Sequence, residues 1–354
     1  MSADGKPGDL PDDAGSTGID GDQDADVAAH SIEYDGPPIV EIVEAIRREG
    51  APVPRHVGQS DIGDGRVLGW AEFGHPDGDP LLWFHGTPGA RTQVPPSIHQ
   101  AALQRGFRII TVERPGTGVS TDHRYHRIAE FGPDIEVLVD DLGLDRFGVV
   151  GLSGGGPYTL AVAHHLPDRV VVASLLGGLG PTRGRDAVWS YTRALRFVAP
   201  AFEVLRTPIG SVFAYGLDAL APVADPVFRA YTALLGFADK PVLRDPQFRA
   251  MFLQDLLSAH ELRSAAHDMA LFSRHWGFDL DDVTPPVVVW QGLADTIVPP
   301  SHGHHQASRL PRGELRVRPG EGHFAGFADV TTVLERLREV WADESATPVD
   351  AAAH

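Results

Sequence analysis

The chain has 354 residues, 42% of them hydrophobic, which is long and apolar enough for a single large core that carries insertions. It contains no cysteine, and this excludes a disulfide framework, a thiolate nucleophile and a cysteine-based metal site. Half of the formal net charge of −18 lies in residues 1–35, where ten acidic side chains accompany a single basic one, Lys6. This acidic balance is not typical of a nucleic-acid-binding protein, so we expect no such partner.

The first segment, residues 1–35, is acidic and poor in large apolar side chains, and this composition predicts a disordered tail. It has neither the basic start nor the apolar stretch of a secretory signal, and the chain has no uninterrupted apolar span of 18 residues. We therefore expect a cytoplasmic protein without a membrane span. Residues 36–55 are predicted to be a helix and linker, whose apolar face would pack on its own subunit or form a homodimer.

Apolar runs and helical patterns alternate over residues 56–180 and again over 286–341, which predicts an α/β core in two parts. The predicted strands are residues 56–61, 66–73, 81–85, 108–113, 147–151, 171–176, 287–291 and 314–318. Predicted helices cover residues 96–104, 128–141, 156–166, 301–309 and 329–341. Gly63-Asp64-Gly65 predicts a hairpin turn between the first two strands. The expected fold class is therefore a mostly parallel eight-stranded sheet with helices on both faces.

The third predicted strand ends in the loop His85-Gly86-Thr87-Pro88-Gly89, which is suited to binding an oxyanion. The tetrahedral intermediate of acyl transfer carries its negative charge on one oxygen, and backbone N–H groups directed at that oxygen stabilise it. We predict that Thr87 supplies one of these N–H groups. His85 and Gly86 are predicted to support the loop, His85 as a hydrogen-bonding strut and not as an acid or base.

The fifth predicted strand runs into Gly151-Leu152-Ser153-Gly154-Gly155, directly before a predicted helix. This pattern is typical of a nucleophile elbow, in which a sharp strand-to-helix turn presents a serine hydroxyl between small residues. Ser153 is therefore the predicted nucleophile, and the N–H of Gly154 is the second predicted oxyanion donor. Gly151 and Gly155 are the small residues that the turn requires. Because two more glycines follow Gly154, we expect a wide floor beneath the acyl group.

The alternation stops over residues 181–285, and a structureless loop of that length is rare in a compact domain. Helical patterns cover most of this insertion, at Ala187–Val198, Ala201–Leu205, Ile209–Leu220, Pro226–Leu235, Pro246–Ala259 and Glu261–Trp276. Its large aromatic side chains are predicted to form mostly an internal core, with the remainder lining an apolar substrate pocket. These side chains are Trp189, Tyr191, Phe197, Phe202, Phe213, Tyr215, Phe228, Tyr231 and Phe237.

Two further polar residues stand on loops that follow the last two predicted strands, Asp295 after the seventh and His323 after the eighth. The order serine, acid, histidine along the chain is that of a catalytic triad on an α/β sheet. His323 is therefore the predicted base for Ser153, with Asp295 holding its imidazole in the productive tautomer.

Three histidines, His302, His304 and His305, begin the helix that follows Asp295. They have no cysteine or carboxylate at ligand spacing, so we expect no metal site there. The chain ends in residues 342–354, which are predicted to be a flexible tail.

Taken together, the four motifs resemble the α/β-hydrolase superfamily, and the resemblance covers roughly residues 56–341. A fifth motif agrees, because residues 112–120 read VERPGTGVS, which is similar to the loop after the family's fourth strand. Glu113 stands there in place of the usual aspartate. The resemblance implies that residues 181–285 form a helical cap over the active site. Ser153 argues against the epoxide hydrolases and haloalkane dehalogenases of this fold, which use an aspartate at the elbow.

The resemblance implies a serine hydrolase of the esterase or lipase type. We expect it to cleave a carboxylic ester of a small to medium apolar substrate through an acyl-enzyme, without cofactor or metal. The same residues could serve a proline-iminopeptidase-like aminopeptidase, a C–C bond hydrolase or a cofactor-free perhydrolase. An iminopeptidase would need acidic cap residues for the substrate amine, and the candidates are Glu203, Asp218, Asp225 and Asp255. A slow-turnover ligand receptor or signalling module is the alternative from another class.

Overall fold

The computed structural model describes residues 50–194, 197, 236–258 and 263–346. Several segments with sequence-based predictions lie outside these residues. They are the tail 1–35, most of the predicted helix and linker 36–55, the predicted helices at 201–205, 209–220 and 226–235, and residues 347–354.

The sheet has eight strands in the order β1-β2-β4-β3-β5-β6-β7-β8. The strands are β1 (His56–Asp61), β2 (Val67–Gly74), β3 (Asp79–Phe84), β4 (Phe107–Val112), β5 (Phe147–Leu152), β6 (Val170–Leu176), β7 (Val287–Gly292) and β8 (Gly313–Arg318). β2 pairs antiparallel with β1 and β4, and the pairs from β4 across to β8 are parallel. The predicted mostly parallel sheet is confirmed.

Helices cover both faces of the sheet. They are α1 (Ile98–Arg105), α2 (Phe131–Asp141), α3 (Gly156–His165), α4 (Lys240–Arg244), α5 (Pro246–Ser258), α6 (Arg263–Phe272), α7 (Pro300–Arg309), α8 (Ala325–Ala328) and α9 (Val330–Ala346). Successive strand residues point to opposite faces, so Leu82 and Phe84 join a buried cluster with α2 and α3, whereas Leu81 and Trp83 join one with α1 and α9. Within the described part of the chain, no helix combines the length and apolarity needed to cross a membrane.

The hairpin turn between β1 and β2 forms where it was predicted. Gly63, Asp64 and Gly65 have φ angles of +87°, +55° and +70°. Glycine adopts this left-handed region without steric cost and aspartate tolerates it, which explains why the sequence turns here.

The insertion departs from prediction at its first helix. Residues 187–190 are not helical, and a 3₁₀ turn at Tyr191–Ala194 follows them. The N–H of Val188 donates to the carbonyl of Pro181 at 2.8 Å and its side chain is buried, so these contacts hold the backbone in a turn. At the other end of the insertion, α6 stops at Phe272 and not at Trp276. Beyond Phe272 the backbone forms turns, in which the N–H groups of Ser273 and Arg274 donate to the carbonyls three residues earlier at 3.2 and 3.0 Å.

Three of the nine aromatic side chains that were predicted to form mostly an internal core are described by the structure, and these three do not belong to such a core. Trp189, Phe197 and Phe237 are 86%, 73% and 86% exposed. Trp189 precedes the 3₁₀ turn on non-helical backbone, and Phe237 begins a 3₁₀ turn where the ammonium group of Lys240 lies 5.6 Å from its ring centroid. The other six side chains of the predicted set are not among the side chains that the structure describes.

The last helix is longer than predicted. α9 continues to Ala346, so residues 342–346 do not belong to a flexible tail. The ring of Trp341 packs edge-on against Phe107 at 6.0 Å between centroids, and Glu344 pairs with Arg312. These contacts tie the final turns of α9 to the core.

Candidate active site

The nucleophile candidate lies at the turn between β5 and α3. β5 ends at Leu152, residues Ser153–Gly155 form a 3₁₀ turn, and α3 follows directly. Ser153 has a φ of +52°, a left-handed conformation that costs a non-glycine residue about 1–2 kcal/mol. Such strain at the end of a central strand is typical of a serine that a sharp turn presents to a substrate.

The glycines on either side of Ser153 permit close approaches of the backbone. A Cβ on Gly151 would lie 2.5 Å from the carbonyl oxygen of Gly155, and a Cβ on Gly155 would lie 2.7 Å from that of His85. Both distances are too short for a real side chain. The elbow therefore needs glycine at both positions, in agreement with the sequence pattern.

The residue after Ser153 does not create the wide floor that was predicted. A Cβ on Gly154 would lie 2.9 Å from Cβ of Thr87 and 3.0 Å from Cζ of Phe272, and a Cβ on Gly156 would lie 2.9 Å from Cα of Gly178. Neighbouring atoms thus already occupy the space that a larger residue would fill. The glycines allow close packing and do not leave open volume.

The acid and histidine candidates form a buried pair. Asp295 lies on the loop after β7 and His323 on the loop after β8, and Oδ2 of Asp295 lies 2.8 Å from Nδ1 of His323. The N–H groups of Ile297 and Val298 donate to Oδ1 of Asp295 at 2.8 and 2.9 Å, which fixes the carboxylate. With the Nδ1 proton directed at the carboxylate, Nε2 is the basic nitrogen of the neutral imidazole.

The loop after β6 joins this pair to the elbow. Gly177 has a φ of +58°, and a Cβ there would lie 3.2 Å from Nδ1 of His323 and 3.4 Å from Oδ2 of Asp295. Two residues later, the N–H of Leu179 donates to the carbonyl of Ser153 at 3.2 Å. The three triad candidates therefore lie at one edge of the sheet, where the carboxyl ends of parallel strands meet.

The loop after β3 lies against the elbow, since a Cβ on Gly86 would lie 3.5 Å from Cβ of Ser153. In this loop His85 is buried, its Nε2 accepts the N–H of Arg114 at 3.3 Å, and its Nδ1 donates to the carbonyl of Gly86 at 2.8 Å. Burial lowers the pKa of His85 well below its usual range, and the adjacent Arg114 guanidinium lowers it further. A neutral ring with both nitrogens engaged acts as a strut for the loop.

A buried arginine, Arg114, also binds the loop after β3. Nη1 of Arg114 donates to the carbonyl of His85 at 2.5 Å, and Nη2 donates to the carbonyl of Gly86 at 2.7 Å and to Oγ1 of Thr87 at 2.9 Å. Asp268 of α6 forms an ion pair with this guanidinium at 2.8 Å. The loop that carries one predicted oxyanion donor is therefore fixed by side chains from two other parts of the chain.

A second buried carboxylate fixes the loop further along. Asp255 of α5 accepts hydrogen bonds from the N–H of Ala90 at 2.9 Å, the hydroxyl of Thr92 at 3.0 Å and Nε2 of Gln93 at 2.9 Å. Oε1 of Gln93 in turn accepts the N–H of Gly86 at 2.5 Å. Burial raises the pKa of Asp255 to about 8, although the three hydrogen bonds lower it in part.

A sequence profile of the alpha/beta hydrolase fold matches residues 79–329, which include both loops, the elbow, Asp295 and His323. The "Probable proline iminopeptidase" of Leptolyngbya boryana is 26% identical over 306 residues, which cover 80% of this chain and 93% of that protein. The "Proline iminopeptidase" of Arabidopsis thaliana is 30% identical over 161 residues, or 44% of this chain and 42% of that protein. A thermophilic esterase from Thermogutta terrifontis has a similar fold, with a TM-score of 0.59 at 20% identity, covering 82% of this chain and 100% of that one.

The family profile spans well over half of the chain and contains the whole arrangement described above. The chain belongs to the α/β-hydrolase fold family. As an α/β hydrolase it is expected to react at the carboxyl edge of its sheet, where the loops after β3, β5, β7 and β8 converge.

A cavity of about 380 Å³ opens at this edge of the α/β hydrolase, with Ser153 in its wall. Thr87 and Gly154 lie beside Ser153, so both predicted oxyanion donors border the same space as the serine. The other described residues that line it are mostly apolar. They are Leu179, Thr192, Ala194, Met269, Phe272, Ile297 and Val298.

His302, from the histidine cluster, supports one wall of this cavity. Its Nδ1 accepts the N–H of Gly180 at 2.9 Å, and its Nε2 donates to Oγ1 of Thr192 at 3.0 Å. Burial lowers the pKa of His302 to about 4. His305 instead contacts the carbonyl of Asp186 at 2.9 Å, and the part of the chain that the structure describes holds no group of three residues able to bind a metal.

The four acidic candidates for binding a substrate amine differ in whether the structure describes them. Asp255 is buried and its oxygens are occupied by loop donors, so it is not one of the cavity's walls. Glu203, Asp218 and Asp225 lie outside the described residues.

The sequence did not predict that four residues support the loop after β3. These residues are Arg114, Asp268, Gln93 and Asp255. Arg114 lies within the quoted VERPGTGVS motif, and this motif was the one available signal for it. Asp268 and Asp255 lie in predicted helices of the insertion, where an isolated acidic residue normally faces solvent. Their partners Ala90 and Arg114 lie more than 150 residues away along the chain, beyond the reach of any local pattern.

Proposed function

We propose that this α/β hydrolase is a serine esterase that cleaves carboxylic esters with a small to medium apolar acyl group. The observation that carries the proposal is that Ser153, Thr87 and Gly154 border one cavity with otherwise mostly apolar described walls. An apolar cavity with a few convergent polar groups is the usual form of a site that binds an apolar substrate.

In the proposed reaction, Oγ of Ser153 attacks the ester carbonyl while Nε2 of His323 accepts its proton. Asp295, held 2.8 Å from Nδ1 of His323, orients the imidazole and stabilises the positive charge that develops on it. The N–H groups of Thr87 and Gly154 stabilise the oxyanion, and one good donor of this kind contributes about 3–4 kcal/mol. His323 then protonates the departing alcohol, activates a water molecule and releases the acid.

We also propose that residues 181–285 act as the cap that determines acyl specificity. Thr192, Ala194, Met269 and Phe272 belong to this insertion and line the cavity. Substitutions of these four lining residues should therefore change which acyl chains are accepted and leave the chemical step intact.

A proline-iminopeptidase activity is the second candidate, because relatives of the chain, including the two reported above, carry that name. Such an enzyme must hold the free amine of its substrate, and a carboxylate is the natural partner for an ammonium group. None of the described residues that line the cavity is acidic, which favours the esterase. The acidic residues Glu203, Asp218 and Asp225, outside the described part of the chain, are the ones an iminopeptidase would use.

The test compares two substrate types with the same enzyme preparation. p-Nitrophenyl esters from acetate to palmitate report esterase activity, and prolyl p-nitroanilide reports iminopeptidase activity. Ser153→Ala removes the proposed nucleophile. Ser174→Ala is the matched control, because it removes a buried hydroxyl without a hydrogen-bond partner from the neighbouring strand β6.

The esterase proposal predicts ester hydrolysis that Ser153→Ala abolishes and Ser174→Ala retains, with little turnover of the anilide. The reverse preference would replace it with the iminopeptidase. If the wild type hydrolyses neither substrate faster than Ser153→Ala, the proposed function is wrong.

A further inference from the structure

Asp268 of α6 is a buried carboxylate with donors on both of its oxygens. Oδ2 accepts Nε and Nη2 of Arg114 at 3.1 and 2.8 Å and the hydroxyl of Thr87 at 2.6 Å. Oδ1 accepts the hydroxyl of Tyr158 at 2.5 Å. The side chains of Arg114 and Asp268 are 2% and 3% exposed, so the loss of either charge would leave the other buried and uncompensated.

Arg114, which Asp268 holds in place, in turn binds the backbone of the loop after β3. Its guanidinium holds the carbonyl oxygens of His85 and Gly86 at 2.5 and 2.7 Å. The carbonyl of Gly86 and the N–H of Thr87 belong to one planar trans peptide unit, in which they point in opposite directions. Fixing the carbonyl on the Arg114 side therefore fixes the direction of the Thr87 N–H.

The hydrogen bonds also exclude a different role for Asp268. Its two oxygens already accept four bonds from three side chains, and the ring of Tyr158 lies under the Arg114 guanidinium at 4.9 Å. A carboxylate in this state is not available to bind a substrate amine. Its effect must pass through the groups that it holds.

We propose that Asp268 is a positioning residue for the oxyanion hole. It holds Arg114 and the Thr87 side chain, and through them it keeps the Gly86–Thr87 peptide in the orientation that directs its N–H at the substrate oxygen. The inference rests on the proposed function, because it takes the Thr87 N–H as an oxyanion donor. Its neighbours Met269 and Phe272 on α6 line the cavity, so one helix controls both the acyl pocket and the oxyanion donor.

The test is Asp268→Asn, which keeps the shape of the side chain and removes its charge. Asp134→Asn is the matched control, because Asp134 is also buried and also accepts hydrogen bonds from an arginine, Arg66, and a tyrosine, Tyr125. Four quantities are measured for each protein: kcat and KM with p-nitrophenyl butyrate, the rate at which a fluorophosphonate labels Ser153, and the melting temperature. Rapid labelling of Ser153 depends on the oxyanion hole, because the phosphonyl oxygen of the reagent occupies it during the reaction.

In Asp268→Asn, kcat and the labelling rate should both fall by about tenfold to a hundredfold, since one oxyanion donor is worth about 10²–10³ in kcat. KM should change by less than about threefold, because the acyl pocket is retained. Asp134→Asn should lower the melting temperature and leave kcat unchanged. A kcat for Asp268→Asn within about threefold of wild type would overturn the inference. An equal loss of kcat in the control would overturn it too, because that result would indicate a general effect of stability.

A second pair of variants covers the case in which Asp268→Asn does not fold. Thr87→Val removes the hydroxyl that Asp268 accepts and keeps the backbone N–H, whereas Thr87→Ser keeps both. The labelling rate of Thr87→Ser should exceed that of Thr87→Val by about tenfold, and equal rates would overturn the inference.

Failure of the proposed function gives a different result. If wild type is labelled at Ser153 but hydrolyses no ester, the ester proposal is wrong and the labelling rates still decide the role of Asp268. If wild type is labelled no faster than Ser153→Ala, there is no working oxyanion hole and both proposals are wrong.

Discussion

Gly154→Ala adds one methyl group to the residue that follows Ser153, and the structure predicts a large effect on activity. The added carbon would lie 2.9 Å from Cβ of Thr87 and 3.0 Å from Cζ of Phe272. Non-bonded carbons prefer about 3.5–4.0 Å, so the loop carrying Thr87 has to move by roughly 0.5–1 Å. A misplacement of about 1 Å can cost an active site about 100-fold in rate.

We therefore expect kcat for the preferred p-nitrophenyl ester to fall by about 10- to 100-fold in Gly154→Ala, or about 1.4–2.7 kcal/mol in the barrier. Crowding should also lower the free energy of unfolding, measured by guanidinium titration, by about 1–3 kcal/mol. Gly143→Ala, after α2, is the control: its φ is +65° but a Cβ there meets no atom within 4 Å. It should cost about 1–2 kcal/mol of stability and leave kcat unchanged. If Gly154→Ala keeps kcat within about threefold of wild type, Thr87 is not held against the elbow and the reasoning is refuted.

Four further substitutions test the site. Asp295→Asn should lower kcat by about 10⁴-fold, since an amide stabilises the wrong tautomer of His323; a loss below about tenfold would contradict the triad. Because burial raises the pKa of Asp255 to about 8, the folded state retains a proton that the unfolded state releases above about pH 4. The protonated Asp255 side chain therefore adds to the free energy of unfolding below pH 4. This contribution falls by about 1.4 kcal/mol per pH unit as the pH rises to 8. Urea titrations at pH 5 and 8 should show that Asp255→Asn lacks this slope. His302, whose pKa is lowered to about 4, changes stability in the opposite direction, because the unfolded state binds its proton first as pH falls. The melting temperature of wild type relative to that of His302→Gln should therefore fall between pH 6.5 and 4. Phe272→Ala should enlarge the cavity and raise the kcat/KM ratio of p-nitrophenyl decanoate to butyrate by about tenfold or more; an unchanged ratio would place Phe272 outside the acyl pocket.

The sheet could be predicted strand by strand because parallel strands buried on both faces are continuous apolar runs. Phe147–Leu152 and Val287–Gly292 are examples, and both are fully buried. The site candidates could be placed for a related reason. They stand in short motifs directly after such strands, so the sequence already assigns them to the carboxyl edge of the sheet. The structure adds the contact between Asp295 and His323, while their catalytic roles stay predictions.

Predictions that depended on the surroundings of a side chain were less successful. The glycines after Ser153 suggested open space, but Thr87 and Phe272, distant in sequence, pack into it. The aromatic residues Trp189, Phe197 and Phe237 suggested a core and are largely exposed, because composition does not tell which side of a turn a ring occupies.

By itself, the sequence determined the fold class, the order of the strands along the chain and the positions of Ser153, Asp295 and His323 on their loops. These features depend on periodicity and turn chemistry within about ten residues. Only the tertiary structure decided how the loop after β3 is held. Arg114 and Asp268 are 154 positions apart, and their ion pair forms because the fold buries two opposite charges at one point, where each requires the other.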